Sequence, residues 1–214
     1  MRLNEELASR MVSCLLSRKP FWLLSLALIV QFSGCTQTRT EDDDTTNTFV
    51  TIDSLHASDT SRGGDLFSDV CVADSMTPTI CTFTNDNAIV QIRARPKDLN
   101  RISSAVQDII FTRYRVTYIR TDGRNVPGVD VPYPFDGAAT FRVPSDFTQT
   151  TREFMIVRLQ AKLESPLLEM QGGGGSQVLS VLARVDFFGR DVAGRNLQVT
   201  GTLNITFADF AEDN

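Results

Sequence analysis

The chain has a single histidine, His56, and that limits the chemistry it can be expected to perform. His56 sits in Ser54-Leu-His-Ala-Ser-Asp59, a polar stretch in which it reads as a surface imidazole and not a general base. Ser-His-Asp catalysis would also need a nucleophile on a sharp turn of the Gly-x-Ser-x-Gly kind, and the sequence holds none. Gly172-Gly-Gly-Gly175 lacks the Lys-Ser/Thr that completes a phosphate loop, so it reads as a flexible connection between strands. The chain has 26 Asp and Glu residues. Glycoside hydrolysis needs two carboxyls at about 5–9 Å, and no pair among them is singled out. Asp42-Asp43-Asp44 reads as a solvated, self-repelling spacer, because a calcium ion needs six or more converging oxygens. The expectation is a protein without catalytic residues, metal or cofactor.

The cysteines say more. Cys35 ends the tetrad Phe32-Ser33-Gly34-Cys35, which follows the apolar run Phe21 to Val30 and the basic pair Arg18-Lys19. That run fits the roughly 7–15 residues of a secretory hydrophobic region and falls short of the about 20 that span a bilayer. The arrangement resembles a bacterial lipoprotein signal peptide with its lipobox, with Phe32 where Leu is usual. The resemblance implies a diacylglycerol on the Cys35 sulfur, cleavage on its amino side, and N-acylation. Two or three acyl chains hold a protein where one gives only marginal binding. Thr36, not Asp, follows Cys35, and the same resemblance then favours the outer membrane in a Gram-negative cell. Met11 is an alternative start, with only Arg18 and Lys19 charged before the apolar run. Residues 1–34 are thus expected to be a signal peptide. Residues 35–47, rich in Thr, Asp and Asn, are expected to be a disordered acidic tether, and residues 48–214 a folded domain.

Export carries a further expectation. Cys14 would leave with the signal peptide and Cys35 would be acylated, so Cys71 and Cys81 remain. In the disulfide-permissive compartment that the resemblance implies, they are expected to pair, closing a short loop worth roughly 2.5–3 kcal/mol. A redox or zinc role would need a Cys-x-x-Cys or further ligands. The formal net charge is −5, and the segment before Cys35 is itself net basic. The exported part is therefore still more acidic, which argues against nucleic acid as a partner.

Beyond the tether the hydrophobic pattern has period two. Leu197, Val199, Leu203, Ile205 and Phe207 alternate with Gln198, Thr200, Thr202, Asn204 and Thr206, the signature of a half-buried antiparallel strand. Tyr114, Val116 and Tyr118 alternate with Arg113, Arg115 and Thr117. Met155, Val157, Leu159, Ala161 and Leu163 alternate with Ile156, Arg158, Gln160 and Lys162, which predicts a strand through residue 163 with the first set buried. Further strands are expected over 48–53, 79–84, 88–95, 138–143 and 178–188. Turns are expected at Asn85-Asp86-Asn87, Arg95-Pro96-Lys97-Asp98, Asp122-Gly123, Asp136-Gly137, Pro144-Ser145-Asp146 and Gly189 to Gly194. Seven to nine such strands favour an all-β antiparallel sandwich.

Asp191-Val-Ala-Gly194-Arg-Asn196 is similar to the turn joining the last two strands of bacterial immunoglobulin-like domains, with Arg195 as an extra residue between Gly194 and Asn196. The resemblance implies an immunoglobulin-like β-sandwich. Gly194 would supply the positive φ of the turn, and Asp191 would accept hydrogen bonds from the turn backbone.

Two surfaces are candidates for binding. One is the proline-stiffened stretch Val126 to Asp136, where Tyr133 and Phe135 would present rigid aromatic area or fold back as a plug on the sandwich. The other is the set Arg93, Arg95, Arg113, Arg115, Arg120 and Arg124. These would form a basic stripe for an anionic glycan or lipid headgroup, or cross-strand ion pairs on a sheet face. The functional expectation is a lipid-anchored, non-enzymatic module of the cell envelope. It would contact the membrane through its acyl chains, and an envelope protein or glycan through its domain. The alternative is an envelope-anchored protein that binds carbohydrate or another small ligand.

Overall fold

The computed structural model describes residues 46–59, 63–73, 81–98, 100, 104–172 and 176–210. The expected signal peptide, Cys35 and nearly all of the expected tether lie outside the described residues. In the described part, runs of alternating apolar and polar residues give the strands β1 (Thr48–Ala57), β2 (Leu66–Asp69), β3 (Val72–Ala73), β4 (Cys81–Thr82), β5 (Asp86–Pro96), β6 (Ile109–Ile119), β7 (Phe135–Val143), β8 (Thr150–Val157), β9 (Val178–Asp191) and β10 (Asn196–Ala208). One helical turn, α1 (Leu159–Lys162), follows β8.

Eight of the strands form two sheets, in the orders β1-β5-β8 and β2-β10-β9-β6-β7. β3 and β4 form a separate small ribbon. The expected all-β sandwich is present. Its first strand, β1, pairs antiparallel with β5 in the smaller sheet. The chain then crosses to the larger sheet, where β2 runs parallel to the last strand, β10. That short parallel strand gives no alternating signal long enough to be read from sequence. The ribbon is held by a Cys71–Cys81 disulfide, as expected.

The inner rows of both sheets make the core. Val90 and Ile92 of β5 and Ile156 of β8 face Phe111, Tyr114 and Val116 of β6, Val185 and Phe187 of β9, and Ile205 and Phe207 of β10, all buried. Phe187 is the hub of an aromatic cluster. Phe111, Tyr114, Phe141 and Phe154 have ring centroids 5.2 to 6.5 Å from its own, the separations at which edge-to-face contacts are favourable. Two tyrosines of β6 also tie the sheets together by hydrogen bonds. The Tyr114 hydroxyl donates to the Met155 carbonyl at 2.8 Å, and the Tyr118 hydroxyl donates to the Ile156 carbonyl at 2.8 Å.

Four sequence expectations are corrected. The strand expected through residue 163 stops at Val157, and both rows enter the core: Val157 and Ala161 of the expected row are buried, as is Ile156 of the other. Phe154 and Ile156 are in the core, whereas Met155 is only half-buried. Lys162, expected to face solvent, is 1% exposed. It turns inward because its ammonium meets Asp86 at 3.0 Å, and Asp86 also accepts the Ser68 hydroxyl at 2.6 Å. Burial pushes the Asp86 carboxyl up, and Lys162 and Ser68 offset this only in part. Asn85-Asp86-Asn87 is therefore not a free turn: Asp86 and Asn87 open β5. Asp136-Gly137 likewise lies inside β7 and not in a turn.

The β9–β10 turn is shorter than expected, because Gly189 to Asp191 belong to β9, but its chemistry is the expected one. Gly194 has φ 88°, and Asp191 accepts from the Arg195 backbone N–H and guanidinium at 2.9 Å each. Burial pushes the Asp191 carboxyl up. The Arg195 N–H, the Thr46 hydroxyl and the Arg195 guanidinium together outweigh burial and hold it below its usual range.

Two outcomes follow from these ties. Tyr118→Phe strips the buried Ile156 carbonyl of its donor and should lower stability by about 1–3 kcal/mol in urea unfolding. For Asp191, the folded-state value lies below the unfolded value of about 3.9. Its contribution is complete above that value and is lost as pH falls through the folded one. Asp191→Asn should therefore flatten the acid side of the urea-midpoint profile between about pH 5 and pH 2.

Candidate functional site

Inner rows normally interdigitate across a sandwich, but at the edge where β7 and β8 face each other they leave a window. Register places its walls. Phe135, Gly137 and Phe141 of β7 stand opposite the inward-facing Val116, Tyr114 and Phe111 of β6. Arg152 and Phe154 of β8 stand opposite the buried Val90 and Ala88 of β5. Since side chains alternate along a strand, the β7 wall reads Phe135, Gly137, Ala139, Phe141. The β8 wall reads Arg152, Phe154, Ile156, Arg158, because Arg158 keeps extended backbone before α1.

The two walls meet at their ends. The Arg158 guanidinium lies 4.6 Å from the Phe135 ring centroid, and Arg152 lies 6.0 Å from that of Phe141. These cation–π contacts stand six residues apart along β7, about 20 Å at 3.3 Å per residue. Between them the β7 wall offers only Gly137 and Ala139. The result is a cavity of about 510 Å³ whose floor is Tyr114, Phe154 and Phe187. That volume lies within the roughly 300–1,000 Å³ of small-ligand sites. Gly137 is required here by close approach: a β-carbon on it would overlap the Tyr114 ring. Tyr114 thus occupies the space of a side chain that β7 lacks. Its hydroxyl spans to β8, and burial pushes its acidity down.

The charges at the rim are unequal in their commitments. Asp136 is 3.7 Å from Arg113 and 3.4 Å from Arg115. Glu153 accepts from the Asn87 amide at 3.0 Å. The arginines are less engaged: Arg152 donates to the Thr151 carbonyl at 3.0 Å, and the Nε of Arg158 is buried without a hydrogen-bond partner. Among the described residues, neither guanidinium has a carboxylate partner.

The candidates named from sequence fall differently. Phe135 is 6% exposed and lines the window. Tyr133 is 48% exposed and lies over Gly128, outside it. The two rings therefore do not share one surface. Val131, buried at 2%, and Phe135 form the plug end of this stretch. The arginine set is not one stripe, because Arg93 and Arg95 belong to β5 and Arg113 and Arg115 to β6, in opposite sheets. Its members are matched: Arg93 with Asp53 at 2.7 Å, Arg95 over the Phe49 ring at 5.0 Å, and Arg113 over the Phe188 ring at 4.2 Å as well as beside Asp136. Arg120 and Arg124 share Asp122, whose carboxyl is held down to about 2, chiefly by the Arg120 hydrogen bond. His56 lies in β1 opposite Ile89. No group of three or more His, Cys, Asp and Glu is placed to hold a metal among the described residues. Cys35 lies outside the described residues.

Sequence reading missed Arg152, Arg158, Gly137, Ala139 and the floor role of Tyr114. A signal was present in the alternation Arg152, Phe154, Ile156, Arg158, but the neighbouring Met155, Val157 and Leu159 offered a competing apolar row. Compared with known proteins, the chain matches no family model and no curated sequence.

Gly137→Ala should displace the Tyr114 ring and cost about 1–3 kcal/mol, as overpacked cores do. Asp136→Ala, which breaks only exposed pairs, should cost less than about 1 kcal/mol. Urea unfolding of the two variants side by side separates the buried constraint from the surface one.

Proposed function

We propose that the chain is a lipid-anchored, non-catalytic binding module of the bacterial cell envelope, and that the window between β7 and β8 is where its domain takes a ligand. The observation that carries the binding role is that window: an aromatic floor, two residues of minimal bulk in the wall above it, and two guanidiniums that have no carboxylate partner among the described residues. A core residue at position 139 or 152 would close the space, yet the sequence places Ala and Arg there. The anchoring role rests on Phe32-Ser33-Gly34-Cys35 and its preceding apolar run. The Cys71–Cys81 disulfide supports residence in an oxidising compartment. The chain enters the domain at Thr46, whose hydroxyl reaches Asp191 at the β9–β10 turn.

Each role has its own test. Cys35→Ser should shift the protein from the membrane to the soluble fraction in a bacterial host and remove the acyl mass from its N-terminal peptide. An unchanged distribution and mass would rule out the anchor. In a thermal-shift screen of small apolar molecules, those that stabilise the full chain should lose their effect on Ala139→Leu, which fills the window. Hits that persist in that variant would place binding elsewhere.

A further inference from the structure

The window's own chemistry narrows its ligand. Resting on the binding reading above, we propose that the occupant is a small apolar acid. Its carboxylate sits on Arg158, and its hydrocarbon body lies along Gly137 and Ala139 over the rings of Tyr114, Phe154 and Phe187.

Arg158 is the discriminating group. Its guanidinium is fixed in place by the Phe135 ring, and its Nε points away from water with no acceptor. That Nε is closed to solvent and so to a ligand, and a carboxylate would accept in bidentate geometry from the two Nη groups instead. Arg152, at the other end, is exposed, and solvent and salt weaken its pull. The ligand is therefore oriented, with its charge at the Phe135 end and its tail towards Phe141.

The remaining lining selects against other classes. Asp136 and Glu153 stand at the same rim, so a dianion such as a phosphate monoester meets two negative charges for one half-buried guanidinium. A neutral sugar needs converging polar groups, and the inward rows between the two arginines offer Gly137, Ala139 and Phe154, while Asp136, Thr140 and Glu153 of the lining are exposed. An added peptide strand along β8 finds the Met155 and Ile156 carbonyls already occupied by tyrosine hydroxyls. An apolar body over the aromatic floor with one carboxylate on a half-buried arginine fits these observations.

The test uses 4-phenylbutyrate and its neutral isostere 4-phenylbutyramide, titrated calorimetrically into the full chain. The acid should bind about tenfold more tightly than the amide, the ratio expected when one charge-assisted bidentate contact separates them. Arg158→Gln should abolish that ratio, weakening the acid more than the amide. Arg158→Lys, which keeps the charge without the fork, should fall between wild type and Arg158→Gln. Ala139→Leu should weaken both ligands. Equal binding of acid and amide to the wild type, an acid/amide ratio unchanged in Arg158→Gln and Arg158→Lys, or no binding of the acid at millimolar concentration would overturn the proposal. If acid and amide bind equally but Ala139→Leu loses both, the window stands as the site and the acid assignment falls. If Ala139→Leu loses neither, the window itself falls.

Discussion

Two tyrosine hydroxyls set the spacing on which the rest of this domain depends. Packed sheets lie about 10 Å apart, and a tyrosine extending from one inner face is long enough to reach the other. Tyr114 and Tyr118 do so from β6, and each donates to a carbonyl of β8. β8 is the edge of a three-stranded sheet, with β5 on one side only, so without these bonds its far side would be held by packing alone. The hydroxyls satisfy acceptors that would otherwise be buried without donors. They also fix β8 at a distance from β7 that side chains do not fill. The window is a consequence of that spacing, and Gly137 is a consequence of the Tyr114 ring passing beneath it.

Charge is distributed by the same logic of access to solvent. On the outer faces, arginines and carboxylates stand at neighbouring register positions and neutralise one another, as with Arg115 between Asp136 and Asp186. Such exposed pairs contribute little stability, but they leave no single-sign stripe. In the interior, Lys162 and Asp86 form a pair whose loss on one side would strand a buried charge, a far larger penalty. It ties α1 to the start of β5, and through Ser68 to β2. Arg152 and Arg158 belong to neither class: they sit on an inward-facing row and are stacked on rings, not paired with carboxylates.

Much of the architecture was legible because long alternating strands report their buried face directly. Leu197 to Phe207 and Tyr114 to Tyr118 were assigned to the correct face, and Gly194 and Asp191 announced their turn through local geometry alone. The legible features share a property: the residues involved interact with their own strand or turn, or with an undifferentiated apolar core. The failures share the opposite one. In 152–163, two interleaved apolar rows compete, and which residues of each row turn inward depends on what stands opposite on β5 and β6. Lys162 looks solvent-facing until Asp86, far away in sequence, is brought against it. Asp136-Gly137 carries the composition of a turn, yet its glycine answers to a ring on the neighbouring strand.

The sequence by itself determined a β-sandwich and its final hairpin, because period-two patterning and turn chemistry are local, while the Cys71–Cys81 pair was expected only from the resemblance to an exported lipoprotein. Only the tertiary structure decided which aromatic residues meet, that Phe135 turns inward while Tyr133 stays out, and that two arginines border an unfilled gap between sheets. A gap is made by residues that are absent from a place, and absence at a point in space has no signature along a chain until strands from opposite sheets are set face to face.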